Sequence, residues 1–309
     1  MSALEQKKQR IAERIKEDPY EGHQMLRTLV NRQVKNKQFD TAVELLYSGA
    51  STLFDMNETA SAGDLAQYIM DTYTKAGFET TPAHKARAIE VLAMFPKEES
   101  TRKQYVHDLI AWSKKSTPSG DEDVQDAVAN AFVKWEEPEK AESHFVLGNS
   151  QSPLSYGHML YQWYTGAETK TDAGVFAGRA VINYLLAENL NGAKTALSEF
   201  SKLLSEKGQE TMQKASIDDV SVSVFPNHPL VNFFWLLLVA ASREAQPSFL
   251  NLKETYAEQL KAMPGWQEAS EKIGEKYFHI KPAFSQGNLL SGLMNSFFGL
   301  NTSAPAGLE

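Results

Sequence analysis

The chain has 309 residues, of which 42% are hydrophobic, enough to bury one large or two ordinary cores without covalent staples. It contains no cysteine, which excludes a disulfide framework, a thiolate zinc site and a cysteine nucleophile, and suits the cytosol. The formal net charge of -8 disfavours non-specific binding to nucleic acid, yet residues 1–37 hold nine Lys and Arg against five Asp and Glu. Residues 1–37 therefore carry a net positive charge, and residues 38–309 carry a net negative charge.

The first half of the chain has the spacing of short, consecutive helices. Residues 1–18 are charged throughout and lack the apolar core of a signal peptide, so we expect a helix and no secretion. Apolar stripes at residues 26–34 and 39–54 predict an antiparallel helix pair, since only four polar residues separate them. Ser61 is expected to cap the next helix, and Gly77 to end it.

The same periodicity continues to residue 278. Thr81 and Pro82 open one helix, and further helices are predicted at 99–115, 121–134, 138–147, 153–165, 173–187, 190–207, 229–243, 248–262 and 266–278. The longest apolar run, Phe233 to Ala241, is far short of the ~20 residues that cross a bilayer and predicts a buried helix. We predict an all-α fold, an irregular right-handed α-solenoid of tetratricopeptide-like helix pairs without the consensus repeat.

One segment has the period of a strand. Val220, Val222 and Val224 alternate with two serines, so one face of the segment is apolar and the other polar. With residues 218–219 as the turn and 212–216 as the return strand, the sequence predicts a β-hairpin near 212–225. Two interpretations stay open: the hairpin packs on its own solenoid, or it docks a partner.

No motif for catalysis, nucleotide binding or metal binding appears. The seven histidines lie far apart, no nucleophile elbow or phosphate loop is present, and we expect no enzyme activity and no cofactor. The carboxylates of residues 121–126 are expected to stabilise a helix N-terminus and not to bind calcium. The aromatic side chains between Tyr156 and Tyr164 are expected in the core.

Two further features suggest contacts with other proteins. In the first helix, Lys7, Arg10 and Arg14 form a basic stripe, which is either a solvated face or a docking strip for an acidic protein surface. Near the other end, apolar residues between 289 and 298 have the spacing of an amphipathic helix, which either caps the solenoid or contacts a partner.

The chain resembles the scaffold subunit of the tail-anchored protein targeting complex, the Golgi to ER traffic protein four family. The stretches that carry this resemblance are Gly63–Ala66, Pro153–Trp163, Phe176, Arg179–Val181, Tyr184–Leu186, Asn189–Ala193, Pro229–Leu238 and Lys272–Pro282. The resemblance spans nearly the whole chain and is densest from about residue 145 to 282. One departure is His279, where a small residue, most often glycine, is expected.

The resemblance implies a cytoplasmic scaffold that bridges two proteins for post-translational delivery of tail-anchored membrane proteins to the ER. Residues 1–150 would bind a dimeric targeting ATPase through Lys7, Arg10, Arg14, Arg27 and Asp64. Residues 151–309 would bind a ubiquitin-like-domain protein through Val220, Val222, Val224, Phe225, Leu293 and Phe297. Its contact with the co-chaperone and with the tail-anchored clients would be indirect. The chain would bind no nucleic acid and would not insert directly into the membrane. The alternative is a helical-repeat scaffold of another multiprotein assembly.

Overall fold

A computed structural model describes residues 3–115, 117–168, 171–217 and 220–281. The chain divides into two compact units, Met1–Glu137 and Pro138–Glu309. This boundary lies one helix before residue 150, where the sequence-based division into two functional halves is placed. The reason is that the helix beginning at Pro138 packs on the helices that follow it, and its Glu142 pairs with Arg179.

As far as it is described, the first unit forms seven helices: α1 (Ala3–Glu17), α2 (Pro19–Lys35), α3 (Phe39–Asp55), α4 (Thr59–Ala76), α5 (Pro82–Met94), α6 (Arg102–Ser113) and α7 (Glu122–Lys134). Within this unit α1 packs on α3, α3 on α5 and α5 on α7, while α2 packs on α4 and α4 on α6. Odd and even helices thus form two rows, with their apolar stripes between them. This confirms the stacked pairs that the sequence predicts.

Local sequence determines where several of these helices begin and end. The Thr81 hydroxyl accepts a hydrogen bond from the His84 backbone N–H, Asp121 caps α7, and Gly77 ends α4 with a left-handed backbone. The predicted cap at Ser61 is wrong, because α4 already begins at Thr59 and Ser61 lies inside its first turn.

Five loops between the described helices share one backbone geometry. Each has a central non-glycine residue with positive φ: Lys37 (58°), Asn57 (62°), Glu136 (58°), Glu188 (58°) and Glu244 (52°). In each loop the N–H of this residue donates to the carbonyl three positions back, and the next N–H donates to the carbonyl five positions back. These bonds satisfy the last carbonyls of the helix, as in a Schellman motif.

The described residues of the second unit, which end at 281, form eight helices and two strands: α8 (Pro138–Val146), α9 (Ser152–Gly166), α10 (Gly174–Leu186), α11 (Leu190–Glu206), β1 (Gln213–Ile217), β2 (Val220–Val224), α12 (Pro229–Ala241), α13 (Gln246–Thr255), α14 (Ala257–Leu260) and α15 (Trp266–Phe278). The strands are antiparallel, with Ile217 opposite Val220 and Gln213 opposite Val224. The predicted hairpin is therefore confirmed. Its two turn residues lie outside the described residues.

Helix α12 is the centre of the second unit. It is buried on almost every side and contacts α10, α11, α13, α14 and β2. The prediction of a buried helix is confirmed, and no helix among the described residues has the length and apolarity to span a membrane. Of the aromatic residues on α9, Tyr156 and Tyr161 are buried, whereas Trp163 and Tyr164 are half-buried with their rings against Phe176.

His279 ends α15 in the left-handed region, with φ of 54°. Glycine adopts this conformation without steric cost, which accounts for the small residue that the family resemblance leads one to expect. The difference thus concerns the turn, as the sequence indicated.

Candidate partner-binding surfaces

The basic stripe lies on a helix that is firmly packed. Ile11 and Ile15 are buried between α1 and its neighbours, as the sequence predicts. Helices α1 and α2 approach closely at Gly22, where a β-carbon would lie 2.7 Å from the Cα of Ile15. This approach fixes α1 against α2 and so determines where the charged side chains of α1 stand.

Between α1 and α2 runs a surface groove that we call the basic groove. It is lined by Lys7, Arg10, Met25, Leu29 and Arg32, among others, and has a volume of about 580 Å³. Lys7 and Arg10 are exposed, and neither has an ion-pair partner within the described ranges of the chain. Met25 is 41% exposed. The groove thus combines uncompensated positive charge with accessible apolar surface, a combination that suits a partner with both acidic and apolar groups.

Arg14 differs from the other two members of the stripe. Its guanidinium forms ion pairs with Glu17, at 2.9 Å, and with Glu21. Its charge is therefore largely compensated within the chain. The stripe that looked uniform in the sequence consists of two uncompensated cations and one paired cation.

Arg27 and Asp64, two other predicted contact residues, bind each other. Arg27 on α2 donates hydrogen bonds from Nη1 to both carboxylate oxygens of Asp64 on α4, and His23 Nε2 lies 2.7 Å from Asp64 Oδ2. Partial burial opposes ionisation of Asp64, but the bonds from Arg27 and His23 outweigh it and lower the pKa of this carboxyl. The Arg27 guanidinium also lies over the Tyr68 ring, 5.4 Å from its centroid.

The structure adds surface residues that sequence reasoning did not single out. Tyr20 and Met25 are the exposed large hydrophobic residues of α2, with Tyr20 72% exposed, and Arg32 lies one helical turn beyond Thr28 in the basic groove. A signal was present, because Met25 and Arg32 are not among the apolar residues Leu26, Val30 and Val34, which share the buried face of α2. Met25 and Arg32 can be recognised as surface residues only after the apolar stripe of α2 has been assigned to the core.

The hairpin has its apolar face against its own unit. Val222 is 2% exposed and Phe225 is fully buried, and β2 packs on α12. Asn232 of α12 fixes this end of the hairpin, because its Oδ1 accepts from the Phe225 N–H at 2.8 Å and its Nδ2 donates to the Phe225 carbonyl at 2.9 Å. The burial of Val222 and Phe225 favours the interpretation that the hairpin packs on its own unit, since a two-stranded hairpin needs this support, and their contact with a partner stays a prediction.

What the hairpin leaves exposed is mostly polar. In β1, residues 213–216 are exposed, and Ser221 is exposed in β2, whereas Val220 and Val224 are half-buried. Leu293 and Phe297, the other predicted contacts, lie outside the described residues.

A model of the family described as Golgi to ER traffic protein 4 matches residues 36–298. The chain belongs to this family. Golgi to ER traffic protein 4 of Schizosaccharomyces pombe is 47% identical over 295 residues, which cover 96% of this chain and 96% of the relative. The human Golgi to ER traffic protein 4 homolog is 27% identical over 287 residues, which cover 92% of this chain and 83% of the relative.

A solved structure agrees with the family assignment. The crystal structure of C. therm. Get4 superimposes with a TM-score of 0.82 and 32% sequence identity, and covers 100% of this chain and 99% of that one. The family's helical fold with a hairpin in the second half is thus the fold of this chain. The family model begins its match at residue 36, so the basic groove precedes the matched range.

Proposed function

We propose that this chain is a non-catalytic scaffold that joins a dimeric targeting ATPase to a ubiquitin-like-domain protein during delivery of tail-anchored proteins to the ER. Membership of the Golgi to ER traffic protein 4 family supports a place in the multi-subunit targeting complex. The observation that carries the ATPase half of the proposal is the basic groove, with its uncompensated Lys7 and Arg10. The scaffold acts in the cytosol, where both partners are available.

The chemistry of the basic groove defines what it accepts. Exposed charges steer an acidic surface towards the groove, while the half-exposed Met25 offers apolar area that a partner can remove from water. Regulation needs no catalytic group, because a scaffold that binds the nucleotide-loaded ATPase more tightly shifts the enzyme towards that conformer and restrains hydrolysis.

The second unit provides the surface for the ubiquitin-like-domain protein. Because Val222 and Phe225 are buried, we place the contact on the exposed side of the hairpin, at Lys214, Ser216 and Ser221. Val222 and Phe225 act indirectly in this proposal, by holding the hairpin on α12. Val220 and Val224, which are half-buried, contribute their accessible edges.

The ATPase half is tested by association kinetics between the full chain and the purified dimeric ATPase. Reversing both uncompensated cations, Lys7→Glu with Arg10→Glu, should slow association about tenfold or more at low salt. Lys16→Glu with Lys35→Glu is the matched control, because it changes the net charge equally and both are exposed lysines that do not line the groove. Equal effects of the two variants would show that net charge acts and that the groove is not the docking site.

The other half is tested by capture of the ubiquitin-like-domain protein. Lys214→Glu with Ser216→Asp should weaken capture without changing ATPase association, while Lys194→Glu on the exposed face of α11 should change neither. Unchanged capture by the hairpin variant would remove the hairpin from the interface. If the chain bound neither protein, the result would favour the alternative function, a helical-repeat scaffold of another multiprotein assembly.

A further inference from the structure

His228 lies where three segments of the second unit meet at the base of the hairpin. It precedes α12, it contacts the loop before α10, and it faces the segment that leads into β1. The residue is only 6% exposed. Its Nδ1 accepts a hydrogen bond from the Ala173 backbone N–H at 3.2 Å, so a neutral ring carries its proton on Nε2.

Two carboxylates flank the imidazole on opposite sides. Asp172 Oδ1 lies 3.7 Å from Nδ1, and Glu210 Oε1 lies 3.6 Å from Nε2. Both distances are within ion-pair range but too long for a hydrogen bond. His228 Nε2 is shielded from solvent and has no hydrogen-bond partner among the residues that the structure describes. The imidazole thus lies between two carboxylate acceptors and forms a hydrogen bond with neither.

Both carboxylates are hydrogen-bonded to backbone or side-chain groups near the hairpin and its supporting helices. Asp172 accepts from the Gly174 N–H at 2.8 Å and from the Leu230 N–H at 2.9 Å, so it caps the beginnings of α10 and α12. Glu210 lies between α11 and β1, and its Oε2 accepts from Asn227 Nδ2 at 3.3 Å. An imidazolium between them would connect the start of the hairpin to two helix N-termini.

The remaining neighbours do not compensate these negative charges. Tyr164 and Phe225 place their rings edge-on to the imidazole, with centroids 6.2 and 6.4 Å away. Glu258 lines the cavity beside His228, but it forms an ion pair with Lys261 at 2.7 Å. Within the described part of the chain, the groups in ion-pair contact with His228 are both acidic.

These surroundings favour the charged ring. The side chain of Asp172 raises the pKa of His228, burial opposes this, and Glu210 adds to the rise. Because the pKa is raised in the folded chain, protonation stabilises the fold fully below the ordinary histidine pKa of ~6.5. That contribution is lost as the pH rises through the folded-state value.

We propose that His228 is a pH-responsive clasp at the base of the hairpin. The second proton goes on Nδ1, which then gives up the bond from the Ala173 N–H and faces Asp172, while the positive ring also attracts Glu210 and so holds the segment leading into β1 on the start of α12. When Nδ1 loses that proton it accepts from Ala173 again, the attraction of both carboxylates weakens, and the hairpin keeps the contacts of β2 and Asn232 with α12 and the Glu210–Asn227 bond. This device belongs to the chain alone and does not depend on the proposed partners.

The test is hydrogen exchange of the hairpin amides in the full chain at pH 6 and pH 8, corrected for intrinsic exchange rates. Protection of β1 and β2 should fall about threefold or more between these pH values, because the raised pKa of His228 places the loss of its proton in this range. His228→Gln should make the corrected protection independent of pH. His279→Gln is the matched control and should behave as the wild type, because His279 is an exposed histidine paired with Glu244.

A second variant keeps the test decisive if His228→Gln does not fold. Glu210→Gln retains the ring and removes one carboxylate, so it should reduce the pH dependence of protection and lower the pKa of His228 in an NMR titration of the ring protons. A wild-type chain whose hairpin protection does not change with pH would overturn the proposal. So would a Glu210→Gln variant with the wild-type profile and wild-type titration.

Discussion

Arg27 on α2 and Asp64 on α4, 37 residues apart in the chain, are bound to each other through both carboxylate oxygens. Family resemblance assigned both to the ATPase surface, and the sequence offered no reason to pair them. In the free chain each charge is compensated by the other. A partner that uses either residue therefore competes with this pair or recognises it as a unit.

Asp64→Asn should lower the free energy of unfolding by only about 0.2–1 kcal/mol, because both side chains are more than one third exposed. The folded-state pKa of Asp64 is lowered, so its contribution exists at neutral pH and disappears as the pH falls through that value. Denaturant titrations should thus show a difference from wild type at pH 7 that shrinks as the pH falls below the ordinary aspartate pKa of ~3.9. A double-mutant cycle with Arg27→Met isolates the pair, and additive effects would contradict a direct interaction.

Charge reversal at Lys7, Arg10 and Arg14 should have unequal effects on the rate of ATPase association. Arg14→Glu breaks pairs with Glu17 and Glu21, whereas Lys7→Glu and Arg10→Glu each remove an uncompensated charge from the basic groove. We expect Lys7 and Arg10 variants to flatten the salt dependence of ATPase association more than the Arg14 variant does. Stopped-flow association rates over a range of ionic strength measure this. Three equal slopes would mean that pairing within the chain does not modulate the stripe.

Replacing the buried strand residue Val222 should act on stability. Val222→Asp buries an unpaired carboxylate against α12 and should cost several kcal/mol, with loss of the hairpin's exchange protection. Ser221→Asp, on the exposed side of the same strand, should change stability by about 0.5 kcal/mol or less. Thermal unfolding monitored by circular dichroism separates the two. Equal melting temperatures for the two variants would mean that Val222 is not buried in solution.

The close approach of α1 and α2 gives a further test. In Gly22→Ala the new methyl would lie 2.7 Å from the Cα of Ile15 and 2.8 Å from its backbone nitrogen, so the helices must separate. We expect a net loss of about 1–2 kcal/mol, with weaker ATPase binding, because the groove changes shape. Gly166→Ala at the end of α9 is the control, as no atom lies within 4 Å of the position that its new methyl would take. That variant should be neutral or slightly stabilised; tolerance of both changes would argue against the tight crossing.

The elements that periodicity could predict are those whose pattern depends on local spacing alone. The stripe of residues 39–54 became α3, and the alternating valines became β2, because each pattern exposes one apolar face that must be covered. The identity of the covering surface is not a local property. For this reason the burial of Val222 on α12, the Arg27–Asp64 pair and the compensation of Arg14 came only from the structure.

The five matching loops have the sequences Asn-Lys-Gln, Met-Asn-Glu, Trp-Glu-Glu, Ala-Glu-Asn and Arg-Glu-Ala, in which the central residue is Lys, Asn or Glu and the first residue differs in every loop. Their backbones nevertheless make the same turn, so these loops have their length and hydrogen bonds in common more than their sequence. Replacing all three residues of one loop by those of another should lower the free energy of unfolding less than inserting a single residue does. The insertion would displace both hydrogen bonds and rotate the next helix out of register.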